Sequence, residues 1–222
     1  MPDAVLVAGG AGALGEAVVG ELGQRGWAVT VIDRHEHAER LDSGICYVQA
    51  DLLDAGSAAA AVAAVDGLKA VVDLVGGFAM GGRVGDSDPD EFEFMLRLNL
   101  LPAFNLARAA MPRLAAAGGG SFVGVSARAA LEPFSGAAGY ITAKGAVLSF
   151  IRALDADYRA DGVRANAILP SVIDTPANRE ASPNADWTRW VAPEQIARVI
   201  AFLCSDDSQP TSGAAVHRYR RA

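Results

Sequence analysis

Tyr140 and Lys144 stand four residues apart in a stretch with helical periodicity, Ala138 to Asp161, so their side chains share one face. A phenol is a poor proton donor near neutral pH. An ammonium beside it lowers its pKa, and the pair can then exchange a proton with an oxygen or nitrogen while a hydride moves. Alone, the spacing is common and usually structural. A second set of residues has a different chemistry: Gly9, Gly10, Gly12 and Gly15 follow the apolar run Ala4 to Ala8 and open a helical stretch. Glycines there permit a tight turn and let backbone N–H groups approach a pyrophosphate, whose charge the helix N-terminus favours. Asp33 ends the next apolar run, where a carboxylate can accept from adenosine ribose hydroxyls and repel a 2′-phosphate. NAD is therefore expected, with NADP left open because Arg34 directly follows and can offset the repulsion. Asp51, beside Leu52, has two readings: an acceptor for the adenine amino group, or a helix cap within Asp51-Leu52-Leu53-Asp54.

These residues need a frame. Short apolar runs at Ala4 to Ala8, Ala28 to Ile32, Cys46 to Val48, Ala70 to Val75, Ser121 to Val125 and Ala165 to Leu169 read as strands, with a weak last one at Ala214 to His217. Helical stretches alternate with them at Leu14 to Arg25, Ala55 to Val65, Pro89 to Ala116, Ala138 to Asp161 and Pro193 to Leu203. Continuous apolar strands need helices on both faces, so the expected fold is α/β, a doubly wound parallel sheet of the Rossmann type in one domain spanning 1–222. Residues 174–192 are polar, with two tryptophans and no clear period, which suggests a substrate loop or lid. Trp187 and Trp190 suit either closure over a flat ring or anchoring of that loop.

Composition narrows the functions. A hydrophobic share of 51% excludes disorder, and a net charge of −7 opposes binding to nucleic acid. No apolar run reaches a membrane span, and Met1 to Ala8 is too short and uncharged for a signal peptide. Cys46 and Cys204 lack any pairing pattern and read as reduced thiols of a cytoplasmic protein. His35-Glu36-His37 is too weak to claim as a metal site, so none is expected.

Taken together, the glycine turn, Asp33, Asn99, Tyr140-x-x-x-Lys144, Pro170 and Thr175 resemble the short-chain dehydrogenase/reductase family over essentially the whole chain. The resemblance implies an NAD(P)-dependent oxidoreductase acting on a small molecule. Tyr140 would be its general acid/base, Lys144 would tune it and bind the nicotinamide ribose, and Asn99 would serve a proton relay. It further implies cofactor contacts at Ala13, Leu14, Leu52, Gly76, Gly77, Pro170 and Thr175, and a homodimer or homotetramer built on the helices carrying Asn99 and Tyr140. Three departures stand out. The family's Asn-Asn-Ala-Gly is Leu74-Val75-Gly76-Gly77, its Pro-Gly is Pro170-Ser171, and its serine thirteen residues before the tyrosine is Ala127. Ser126 is one residue early, a step that turns a side chain to the opposite face of an extended segment, yet it stays a candidate, as does Arg128. Within the family, Gly12-Ala13-Leu14-Gly15, Gly76-Gly77, Lys144-Gly145-Ala146-Val147 and Thr175 to Trp190 are similar to dihydropteridine reductases, which also lack that serine. Asn99 and Leu131-Glu132-Pro133 are closer to bacterial ketoreductases. A dihydropterin-like acceptor, a carbonyl, and a dinucleotide sensor without turnover are the three expectations to weigh.

Overall fold

The computed structural model describes residues 2–34 and 44–218. His35 and His37 lie outside them. Seven strands form one parallel sheet: β1 (Ala4–Ala8), β2 (Ala28–Asp33), β3 (Cys46–Gln49), β4 (Leu68–Asp73), β5 (Gly120–Val125), β6 (Val163–Pro170) and β7 (Ala215–Arg218), in the order β3-β2-β1-β4-β5-β6-β7. The helices are α1 (Ala13–Gln24), α2 (Ala55–Ala63), α3 (Pro89–Ala116), α4 (Ala138–Tyr158), α5 (Pro176–Ala181) and α6 (Pro193–Cys204).

Every residue of β1 is buried, as a central strand covered on both faces requires. One face packs Val5, Val7, Ala70 and Val72 under Val18 and Leu22 of α1 and Ile196 and Ile200 of α6. The other packs Leu6, Val71 and Phe122 under Leu106 of α3 and Val147 and Ile151 of α4. Strand order reverses between β1 and β4, and the crevice beyond the carboxyl ends of these two strands is where open α/β sheets take their ligands. No described helix is long and apolar enough to cross a membrane.

Among the differences from expectation, two have clear local reasons. The fourth strand stops at Asp73 rather than Val75 because the Asp73 carboxylate accepts from the Val75 N–H at 3.1 Å and turns the chain. Residues 174–192 are not irregular throughout. Thr175 caps the short helix α5, Asn178 donates to the Ile173 carbonyl at 2.8 Å, and Ile173 bridges Val191.

Candidate active site

The glycine turn is shaped by contacts that a side chain would break. Gly9 has φ +76° and donates to the Ile32 carbonyl at 2.8 Å. A Cβ on Gly15 would run into the Gly9 carbonyl oxygen and lie 2.5 Å from the Gly10 carbonyl carbon, so α1 can pack this close only through glycine. Gly12 is different. It is exposed, a Cβ there would meet only Gly9 O at 3.6 Å, and as N-cap of α1 it offers no side-chain acceptor. With Ala13 exposed and Leu14 half-buried behind it, the first turn of α1 leaves N–H groups for an anion.

Asp33 closes β2 half-buried, with Arg34 exposed beyond it. Of the two readings for Asp51, the capping one passes to Asp54, whose carboxylate accepts from Ser57 N at 2.6 Å. Asp51 instead holds Leu53 N at 2.9 Å, while Leu52 is buried and gives its carbonyl to Asn105.

The Gly76-Gly77 segment explains how a turn without the family's asparagines is held. Asn99, buried in α3, donates to the Met95 carbonyl at 2.9 Å and accepts from Gly77 N at 3.1 Å. A Cβ on Gly76 would lie 2.6 Å from Asn99 Oδ1 and 2.9 Å from Lys144 Nζ. The ammonium thus sits directly beneath this turn.

Lys144 is buried, and its Nζ donates to the Val125 carbonyl at 3.1 Å. Burial pulls its pKa down to about 8, opposed by the nearby Asp73 carboxylate. Asp73, itself buried, is pushed up to about 6 by desolvation, opposed by the Val75 N–H and by Lys144. Tyr140 shares the helix face and meets Phe78 edge-on, ring centroids 4.9 Å apart. Its phenol is pushed up to about 12 by burial, so at neutral pH it is a protonated donor. The lowering expected from Lys144 is not seen: burial sets the direction of the shift.

Ser126 is buried, and its hydroxyl donates to the Lys144 carbonyl at 2.7 Å, tying the segment just after β5 to α4. Ala127, also buried, stands at the position thirteen before Tyr140. Arg128 pairs with Glu132 at 2.5 Å on the surface. Pro170 is buried at the end of β6, and Thr175 Oγ1 accepts from Asn178 N at 3.2 Å as cap of α5. Trp190 is buried, which makes it an anchor of the loop, whereas Trp187 is half-buried under the Arg179 guanidinium, 4.7 Å from its ring centroid. No group of three or more metal-ligating side chains occurs among the described residues.

Two residues escaped sequence reasoning, and a third, Ser171, drew notice only as a departure from the family pattern. Phe78 carried no motif. Asp73 is an acid closing an otherwise apolar strand, a signal that was legible. Ser171 Oγ is the one buried side-chain polar atom without a hydrogen-bond partner among the described residues, at the position where the family pattern has glycine. Open backbone at Gly12, a donor-rich helix start, and an unsatisfied hydroxyl beside Pro170 suit a dinucleotide carrying phosphates at one end and polar ring substituents at the other.

The chain has relatives among known proteins. A family model described as enoyl-(acyl carrier protein) reductase matches residues 9–218. The chain is 27% identical over 198 residues to 2-(R)-hydroxypropyl-CoM dehydrogenase of Xanthobacter autotrophicus, covering 82% of this chain and 78% of that one. It is 29% identical over 236 residues to 4-formylbenzenesulfonate dehydrogenase TsaC1/TsaC2 of Comamonas testosteroni, covering 95% and 94%. A short-chain type dehydrogenase/reductase from Mycobacterium ulcerans superposes with a TM-score of 0.90 at 25% identity, covering 97% and 87%.

Proposed function

This chain belongs to the short-chain dehydrogenase/reductase family and is an NAD(P)-dependent oxidoreductase; from that premise we propose that it reduces a conjugated C=N system of the dihydropterin kind, with Tyr140 as proton donor. The observation that carries this reading is the absence of a second hydroxyl. The family's serine position is Ala127, and the neighbouring Ser126 hydroxyl is bonded to the Lys144 carbonyl. A ketone oxygen gains from two donors as negative charge develops on it. A ring nitrogen takes up one proton and needs one donor.

When bound, the dinucleotide supplies the hydride. The chain's own residues do the rest. Gly9, Gly12, Ala13, Leu14 and Gly15 cradle its phosphates, Asp33 accepts from the adenosine ribose, and Gly76, Gly77, Pro170 and Thr175 border the nicotinamide half, with Asp51 and Leu52 toward the adenine. Tyr140 holds the proton that passes to the substrate, Lys144 supplies positive charge beside it, and Asn99 fixes the turn covering Lys144. Phe78 and the half-buried Trp187 are apolar surfaces suited to a flat ring. The sensor alternative is set aside by the enzymatic assignment.

A second reading, reduction of a carbonyl or oxidation of an alcohol, is favoured by the names of the hydroxypropyl-CoM and formylbenzenesulfonate dehydrogenases. We take the enzyme to be cytoplasmic and to assemble through the outer faces of α3 and α4, where Phe94 and Phe104 are exposed.

Steady-state oxidation of NADH and NADPH with an oxidised pterin, and with a panel of aldehydes and ketones, tests this. Pterin turnover is expected, falling roughly 10²- to 10⁴-fold in Tyr140→Phe with NADH affinity retained. Turnover confined to carbonyls would replace the first reading by the second, and an unaffected Tyr140→Phe would remove Tyr140 from the chemistry.

A further inference from the structure

We propose that Asp73 is a positioning residue for Lys144, holding the lysine in its charged form beneath the Gly76 turn. The inference deepens the functional reading above and rests on it for the importance of that charge. The placement comes from the sheet. Val71 packs with Leu106, Val147 and Leu148, whereas Val72 packs on the opposite face with Val18 and Ile200. Side chains alternate along a strand, so Asp73 continues the Val71 face, the one that α4 covers. In register, Asp73 stands opposite Gly124. A Cβ on Gly124 would lie 2.5 Å from Ile151 of α4, so the helix is seated directly on this level of the sheet. The next residue of β5, Val125, carries the carbonyl that receives Lys144 Nζ at 3.1 Å.

Asp73 also builds the roof over that ammonium. Its carboxylate holds Val75 N at 3.1 Å, which bends the chain so that Gly76 passes close above Nζ. One carboxylate therefore sets the shape of the turn and supplies negative charge below it. An ammonium withdrawn from water, with one backbone carbonyl as its hydrogen-bond acceptor among the described residues, loses its proton readily unless a full opposite charge is near. Desolvation pushes Asp73 up and Lys144 down, and the charge of each opposes the shift of the other. Among the described residues around Nζ, α3 contributes neutral Asn99 and the end of β5 the Val125 carbonyl, while Tyr140 shares the face of α4 one turn before Lys144. Asp73 is thus the acidic group the structure places there.

The chain has two lysines, Lys69 and Lys144, which makes a direct test simple. Protein labelled with ¹³C at lysine Cε should give two titrating NMR signals, and Lys144→Met assigns them. In Asp73→Asn, which keeps an acceptor for Val75 N, the Lys144 midpoint is expected to fall by about one pH unit while that of Lys69 stays. Asp73→Ser, smaller and uncharged, gives the same reading if the asparagine does not fold. A Lys144 midpoint that stays put in a folded variant overturns the proposal. The pH profile of kcat separates this from the functional reading. With Lys144 discharged about one unit earlier, kcat at pH 8 should drop about fivefold and hardly change at pH 6. A shifted midpoint with an unshifted profile would leave Asp73 acting on Lys144 and refute the role given to the lysine's charge.

Discussion

Ser126→Ala separates two roles that a serine in this position can have. Its hydroxyl is buried and donates to the Lys144 carbonyl at 2.7 Å, and that carbonyl, lying inside α4, keeps its helical partner when the serine is lost. No acceptor is orphaned, so the change removes one ordinary hydrogen bond, worth about 1 kcal/mol net. For a chain of this length that lowers Tm by about 2–4 °C. If the hydroxyl instead stabilised a developing oxyanion, its removal would cost about 10²- to 10³-fold in kcat. Thermal melting of the free protein, with kcat and KM on the best acceptor, reads both quantities from one variant. The structure predicts the small Tm loss and a kcat within about threefold of wild type, since about 0.6 kcal/mol of barrier is the most that a slight resettling of Lys144 should add. A tenfold or larger loss of kcat at unchanged Tm would refute the reasoning and return Ser126 to the catalytic group.

Three further outcomes are expected. Gly15→Ala drives a methyl group into the backbone of Gly9 and Gly10 and should lower stability by about 1–3 kcal/mol while weakening NADH binding at least tenfold, followed by nucleotide fluorescence. With Asp33 binding the adenosine ribose as proposed, Asp33→Ala, with Arg34 left in place, would remove charge-assisted hydrogen bonds worth about 1.5–3 kcal/mol, so the ratio of kcat/KM for NADPH over NADH should rise about tenfold or more. Cys46 is exposed, whereas Cys204 is buried and its thiol is pushed up to about 12 by desolvation, so a thiol reagent at pH 8 should label one cysteine per folded chain quickly and the second only on unfolding.

The fold was legible wherever a signal was repeated. Alternating apolar runs and helical stretches carry the doubly wound sheet, and glycines between a strand and a helix carry the tight turn from Gly9 to Gly15, because each property is written locally several times over. Boundaries set by a single side chain were harder. Asp73 ends β4 two residues before the apolar run does, and Asp54 rather than Asp51 caps α2, since both outcomes depend on which carboxylate reaches a particular N–H. The structure within residues 174–192 was hidden for a related reason. It is held by Thr175, Asn178, the Arg179–Asp174 pair and buried Trp190, contacts between polar residues and one aromatic that produce no periodicity.

The departures from the family pattern are harder to interpret one at a time than together. Read along the chain, two of them, the glycines at 76 and 77 and the displaced serine, look unrelated to each other and to the acid at the end of β4. In the structure they converge on Lys144. Gly76 leaves room for Nζ, Ser126 binds the carbonyl of the same residue, and Asp73 supplies the opposing charge under the same turn. A serine bonded to the Lys144 carbonyl stiffens the helix that carries Tyr140, whereas a serine directed at substrate would polarise it. On the proposed mechanism, exchanging the second role for the first leaves the proton to Tyr140 and makes the charge state of Lys144 the main adjustable property of the site. On this view the buried Asp73 and the missing serine belong to one arrangement, and the pH response of Lys144 is where that arrangement can be measured.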